Sequence, residues 1–244
     1  MSDDRSGCTL PPPPAVADKL FGDGLPAMVR YAELLAGPGV ERGLIGPREV
    51  ERLWERHLLN CGAVAELIPQ HSDVVDVGSG GGLPGLVLAI ARPDLSIVLL
   101  EPLLRRTVFL SECVEQLGLR NVEIRRGRAE EWAGRLSAEV VTARAVAPLE
   151  RLVGWCLPLL APNGRMLALK GEAAAAELEV VAPTLGPLGA VDWAVVEVGS
   201  TLGEAATRVA RIDLGPKGYT PARSAREARG VRGDRSARPR RTTR

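Results

Sequence analysis

From Asp73 onward the chain alternates two kinds of apolar pattern. Short runs such as Val74-Val75 and Ile97-Val98-Leu99-Leu100 read as strands buried on both faces. Between them, apolar residues recur three and four apart, as amphipathic helices require. The pattern predicts strands at 73–77, 96–101, 121–125, 139–143, 165–170, 190–198 and 205–213, with helices near 84–91, 105–117, 149–160 and 173–182. Regular alternation of this kind predicts a parallel sheet with helices packed on it. No helix separates the last two strands. Gly199-Ser200-Thr201-Leu202-Gly203-Glu204 joins them and suits a hairpin, which adds one antiparallel strand.

Before Asp73 the pattern is helical. Tyr31, Leu34 and Leu35 share one face, and Gly37-Pro38-Gly39 is expected to break that helix. Pro47 suits the first turn of a second helix, along which Val50, Leu53, Trp54, His57, Leu58 and Cys61 form the apolar side. Residues 1–14 are polar and then proline-rich, and are read as disordered. The expected division is a disordered N-terminus (1–14), a helical extension (15–68), an α/β domain (69–215) and a basic disordered tail (216–244).

Composition narrows the class. Hydrophobic residues make up 45% of the 244, but aromatics only 3%, so the core must be built from Leu, Val and Ala. The longest apolar run, Leu83 to Ala91, stops at Arg92, far short of a membrane span. The polar start predicts no signal peptide, and four widely spaced cysteines read as reduced thiols of a cytoplasmic protein. Those cysteines and two histidines show no metal-ligand spacing, so no metal is expected. The net charge of +1 hides an asymmetry: beyond Pro221 nine arginines face only Glu227 and Asp234. A basic tail on an acidic body suggests a polyanion partner, with a solvated tail of no specific role as the alternative.

The densest chemistry lies in Asp76-Val77-Gly78-Ser79-Gly80-Gly81-Gly82-Leu83-Pro84-Gly85, a strand running into a glycine turn. Gly78, Gly80 and Gly82 permit positive φ and close approach of a ligand to the backbone. In open α/β sheets ligands lie beyond the carboxyl ends of the strands, where this turn falls. A dinucleotide fingerprint is not met, because Leu83 stands at the third glycine position. Asp76 would also repel a pyrophosphate, yet it suits the cationic methionine portion of S-adenosylmethionine. Glu101, closing the next strand, can accept hydrogen bonds from both ribose hydroxyls.

Several further segments, in order, carry a resemblance: Arg56-His57-Leu58-Leu59-Asn60, the glycine turn above, Arg92-Pro93, Glu101, Arg105, Phe109-Leu110, Arg128-Ala129-Glu130-Glu131, Thr142-Ala143-Arg144-Ala145 and Leu169-Lys170-Gly171. Over roughly residues 28–213 the chain resembles the bacterial 16S rRNA guanine-N7 methyltransferase G family, also called glucose-inhibited division protein B. The resemblance implies a class I S-adenosylmethionine-dependent methyltransferase: an α/β three-layer sandwich whose seven-stranded, mostly parallel, Rossmann-like sheet carries an N-terminal helical extension. Departures are Arg42-Gly43-Leu44-Ile45-Gly46 in place of an asparagine-leucine-threonine segment, Asn60 for an aspartate, Glu101 for a frequent aspartate, and the arginine tail.

The expected cofactor set is Asp76, Gly78, Ser79, Gly80, Gly82, Leu83, Glu101, Ala129, Glu130 and Arg144. The resemblance places Ala129 and Glu130 beside the adenine. It makes Arg144, at the end of the fourth strand, the catalytic residue facing cofactor and substrate; a structural ion pair within the sheet is the alternative. Arg56, His57 and Lys170 are the expected rRNA contacts, with a core histidine and a simple strand cap as the bland readings. Guanine N7 carries a lone pair and no proton, so methyl transfer needs alignment and no general base. By resemblance the partner is 16S rRNA, within the 30S subunit or its precursor, with the protein a monomer, and loss of the modification alters streptomycin sensitivity. A small-molecule or protein methyltransferase, and a non-catalytic RNA-binding protein of the same fold, remain the rival readings.

Overall fold

The computed structural model describes residues 9–221; the arginine-rich stretch 222–244 and residues 1–8 lie outside the described residues. Seven strands form one sheet: β1 (Asp73–Val77), β2 (Ser96–Glu101), β3 (Val122–Arg126), β4 (Ala138–Arg144), β5 (Leu160–Leu169), β6 (Ala190–Val198) and β7 (Thr207–Leu214). Their order across the sheet is β3-β2-β1-β4-β5-β7-β6. All run parallel except β7, which lies antiparallel between β5 and β6. The middles of the central strands are mostly apolar because both faces are covered, with buried Asp76 and Thr142 as exceptions. Val74, Val140 and Leu167 enter one core, and their neighbours Val75, Val141 and Ala168 enter the other.

The first core is closed by α4 (Gly85–Ala91), α5 (Leu104–Leu117) and the N-terminal helices α1 (Ala15–Phe21), α2 (Leu25–Leu34) and α3 (Asn60–Ala63). The second is closed by α6 (Ala129–Trp132), α7 (Leu149–Cys156) and α8 (Ala174–Leu185). The result is the expected three-layer α/β sandwich with its helical extension on one face.

Four expectations change. Gly37-Pro38-Gly39 does not end its helix: a widened turn, Leu35–Gly39, absorbs the proline and the chain stays helical through Glu41. A wider turn relieves the clash of the ring with the carbonyl four residues back. β5 begins at Leu160, passing through Pro162-Asn163-Gly164 as an irregularity opposite Ala138–Val140. Residues 9–14 are placed rather than disordered, and the Trp54 indole donates to the Pro11 carbonyl at 3.0 Å. At the other end the body reaches beyond residue 215, since the Thr220 amide donates to Leu188 at 2.9 Å.

Arginines fasten the extension to the sheet. Arg92 donates to the carbonyls of Ala65, Ile68 and Pro69, which end the helical segment, while Asp94 holds its guanidinium at 2.7 Å. Arg165 of β5 pairs with Asp213 of β7 and donates to the Leu67 carbonyl.

Candidate active site

The sheet order reverses between β1 and β4, and a crevice opens there at the strands' carboxyl ends. The glycine turn follows β1, and Arg144 closes β4 across from it.

The turn is built by internal hydrogen bonds. The Gly78 and Ser79 amides donate to the Leu100 carbonyl, and the Gly82 and Leu83 amides donate to Ser79. Gly78 and Gly80 sit at φ of 69° and 58°, which only glycine adopts freely. From behind, Tyr31 of α2 donates to the Gly81 carbonyl at 2.7 Å. Gly85 has another reason: a Cβ there would lie 2.3 Å from Leu99 and 2.8 Å from the Asp76 carboxylate.

Asp76 lies beneath the turn rather than on its open side. It is fully buried; Thr142 donates to one carboxylate oxygen at 2.9 Å and the Gly85 amide to the other at 3.1 Å. Each oxygen thus has one protein donor, and the side chain sits behind the turn rather than facing a methionine cation directly, as the chain pattern led one to expect. Burial lifts its carboxyl to about 6 despite those donors. Glu101 is also buried; it accepts from the Gly80 amide at 2.9 Å and from Leu103 at 3.0 Å, with Arg106 3.6 Å away.

Two cavities flank Gly78. One, of about 350 Å³, is lined by Gly80, Leu83, Arg106, His57, Arg144 and the Leu44–Gly46 segment. The other, of about 140 Å³, is an apolar slot between Leu100, Ala129, Val146 and Trp155, with Glu130 at its rim. Gly78 borders both, and Val146 packs over it: a Cβ on Gly78 would lie 2.8 Å from the Val146 side chain. The larger is of small-molecule size, at the low end of the roughly 300–1,000 Å³ of ligand sites. A flat ring fits the slot and a polar, charged chain fits the larger cavity. Bare backbone at the turn and a buried acid at the end of β2 suit a ribose between them. The residues present thus fit S-adenosylmethionine.

Arg144 also borders a third, more open cavity of about 560 Å³, shared with Arg56, Asn60, Lys170, Glu177 and Thr207. Among the described residues no carboxylate is one of its hydrogen-bond partners, so the expected alternative of an ion pair within the sheet is not what they show. Its guanidinium instead donates to His57 Nδ1 at 2.8 Å, the Arg56 carbonyl at 2.9 Å and Cys61 Sγ at 3.0 Å. Burial pushes the Cys61 thiol up, so the arginine faces a neutral sulfur. Lys170 is not free for a phosphate: Glu177 pairs with it at 2.9 Å and the Ala147 carbonyl accepts from it, leaving the side chain 9% exposed. A buried ammonium needs such partners. The Arg56 side chain is half exposed beside the open cavity.

The chain pattern gave no site role to several contributors. Glu49 accepts from His57 Nε2 at 2.9 Å, and Thr142, Cys61, Val146 and Trp155 complete the surroundings. Thr142 and Val146 flank Arg144 at the end of β4, Cys61 lies one turn beyond His57, and Glu49 and Trp155 come from other elements. Among the described residues no cluster of His, Cys, Asp and Glu could hold a metal, and no helix is long and apolar enough to cross a membrane.

A seven-stranded sheet of this order, with a glycine turn after its first strand and an acid ending its second, defines a class I methyltransferase fold. A SAM-dependent O-methyltransferase of Thermotoga maritima shares that fold with a TM-score of 0.51 at 14% identity, over 64% of each chain. The chain belongs to the rRNA small subunit methyltransferase G family, whose profile matches residues 25–201. Its relatives include the ribosomal RNA small subunit methyltransferase G of Thermobifida fusca, 61% identical over 82% of this chain and 84% of that one. The protein of the same name from Streptomyces avermitilis is 58% identical over 84% and 87%.

Proposed function

We propose that the protein transfers a methyl group from S-adenosylmethionine to N7 of one guanine in 16S rRNA, acting in the cytoplasm on the small subunit or its precursor. One observation carries the reading: Arg144 stands at the boundary between the cofactor-sized cavity and the open one. The names of the relatives supply the substrate class.

When bound, the sulfonium supplies an activated methyl whose C–S electron pair returns to sulfur as the N7 lone pair forms the new bond. The chain's own residues then have three tasks. Glu101, braced by the Gly80 and Leu103 amides, holds the ribose hydroxyls, and the Ala129–Trp155 slot takes the adenine. Arg144 has Nε–H and one Nη1–H left over from its contacts with Cys61, Arg56 and His57, and directs them at guanine O6 or a phosphate, leaving the N7 lone pair free for the methyl. The target base must be unstacked to reach the cavity. No proton leaves N7, which agrees with a crevice where the one histidine is already engaged on both ring nitrogens.

The test is transfer of labelled methyl to naked 16S rRNA and to 30S subunits from cells lacking the modification, with N7-methylguanine mapped by chemical cleavage. A single labelled guanine is expected, and Arg144→Ala should lose most of the rate. Cofactor binding without label on either substrate would sink the rRNA reading.

A further inference from the structure

Arg144 offers only donors, since a guanidinium has no acceptor. Its 2.8 Å contact with His57 Nδ1 therefore requires that nitrogen to carry a lone pair. The ring proton must then sit on Nε2, which points at Glu49 Oε2, 2.9 Å away. Three side chains from two remote segments thus form one directional chain: Glu49 accepts from His57, and His57 accepts from Arg144. A carboxylate–histidine pair beside a reacting centre usually suggests a general base. Here the acceptor atom has no proton to lose, and His57 Nδ1 is turned to the arginine, so the pair serves geometry.

We propose that Glu49 is a positioning residue for methyl transfer: by fixing the Nε2–H tautomer of His57, it sets the plane of the Arg144 guanidinium between the two cavities. The inference rests on the reading of Arg144 as the group that meets the substrate.

The same geometry implies a pH dependence. A second proton on His57 would place Nδ1–H against Nη2–H of Arg144 and end the contact. The charged groups around the ring are Glu49 and Arg56 from its own segment and Arg144 from β4. Arg106 of α5 lines the same cavity, and Lys170 and Glu177 of the adjoining cavity pair with each other. Burial and the Arg144 charge hold the His57 pKa below its usual value, while Glu49 and its hydrogen bond push it up. The acceptor form therefore dominates at neutral pH and is lost on acidification. Removing the Glu49 charge shifts that loss to lower pH.

The experiment is steady-state methyl transfer from pH 5 to 9 with the full-length protein, alongside cofactor binding by calorimetry and a thermal melt of each variant. Glu49→Ala is expected to lower kcat at pH 7.5 by between about tenfold and about a hundredfold, the penalty of a misplaced reactive geometry. Its dissociation constant for S-adenosylmethionine should stay within about twofold of wild type, marking loss after cofactor binding. Glu49→Gln keeps an oxygen for Nε2–H, so it should recover most of the lost rate with the acid limb at lower pH. If Glu49→Ala does not fold, the limb of Glu49→Gln decides the matter. An unmoved limb, an unchanged kcat in Glu49→Ala, or a loss confined to cofactor affinity would each overturn the inference while Arg144→Ala stays impaired. Full activity of Arg144→Ala would instead remove the reading beneath it.

Discussion

Asp76 shows how a residue's place can be legible when its direction is not. Its position before the glycines puts it at the turn, and Glu101, ending the neighbouring strand, meets that turn through the Gly80 amide. The chain pattern could not show that Thr142 and Gly85 would claim both of its oxygens, because Thr142 comes from another strand, in register with it on β4. The burial has a measurable cost. A carboxyl raised from 3.8 to about 6 binds more protons folded than unfolded. Its contribution is thus fully present below about pH 4 and lost as pH rises through 6, a difference of about 3 kcal/mol by neutral pH. Asp76→Asn can keep both contacts, its amide oxygen accepting from Gly85 and its nitrogen donating to Thr142. The variant should therefore gain thermal stability over wild type between pH 5 and 8. A cationic cofactor favours the ionised acid, so wild-type affinity should rise from pH 5 to 7 and that of Asp76→Asn should stay flat and weaker. Parallel pH profiles for the two proteins in calorimetry would refute this account.

Among the elements, strand cores follow the period-two and apolar-run signals closely, and their ends do not. Pro162-Asn163-Gly164 reads as a turn in isolation, yet the pairing of Leu160 with Ala138 carries β5 through it. Helical pitch is equally invisible to periodicity: the segment holding Arg56 and His57 is a widened turn, Trp54–Leu59, between tighter ones. The pair Arg92-Pro93 had significance only by resemblance. Its arginine proves to close the end of the N-terminal helical segment, donating to three carbonyls, of which Ala65 and Pro69 also accept from the Ile68 amide and the Ser72 hydroxyl. Arg92→Ala should cost about 2 kcal/mol, as loss of charged hydrogen bonds does. That corresponds to a fall in Tm of roughly 4–8 °C for a chain of this size. A melting curve overlying the wild type would show that the extension is held elsewhere.

At the scale of the whole molecule, the alternation of strands and helices announced the class of fold, and the ordered motifs announced the family. The packing of Val146 over Gly78 was not legible, since it depends on how the loop after β4 lies over the glycine turn. The arginine-rich stretch beyond Pro221 lends itself to a solution test. Deleting residues 222–244 should flatten the dependence of rRNA affinity on salt, by about 0.7–0.9 in log–log slope for each phosphate that the arginines had neutralised. An unchanged slope would assign that stretch no part in binding. The placement of β7 between β5 and β6 has a consequence for how the protein is made. Synthesis delivers Thr207–Leu214 last of all the strands, yet they fill an inner position. Until they emerge from the ribosome, β5 presents a bare row of backbone donors and acceptors, and Arg165 waits for Asp213. A nascent chain stalled in that interval would carry an open sheet edge, the feature that invites pairing with a neighbour. A member of this rRNA methyltransferase family would then depend on a ribosome reading through the codons for β7 without pause.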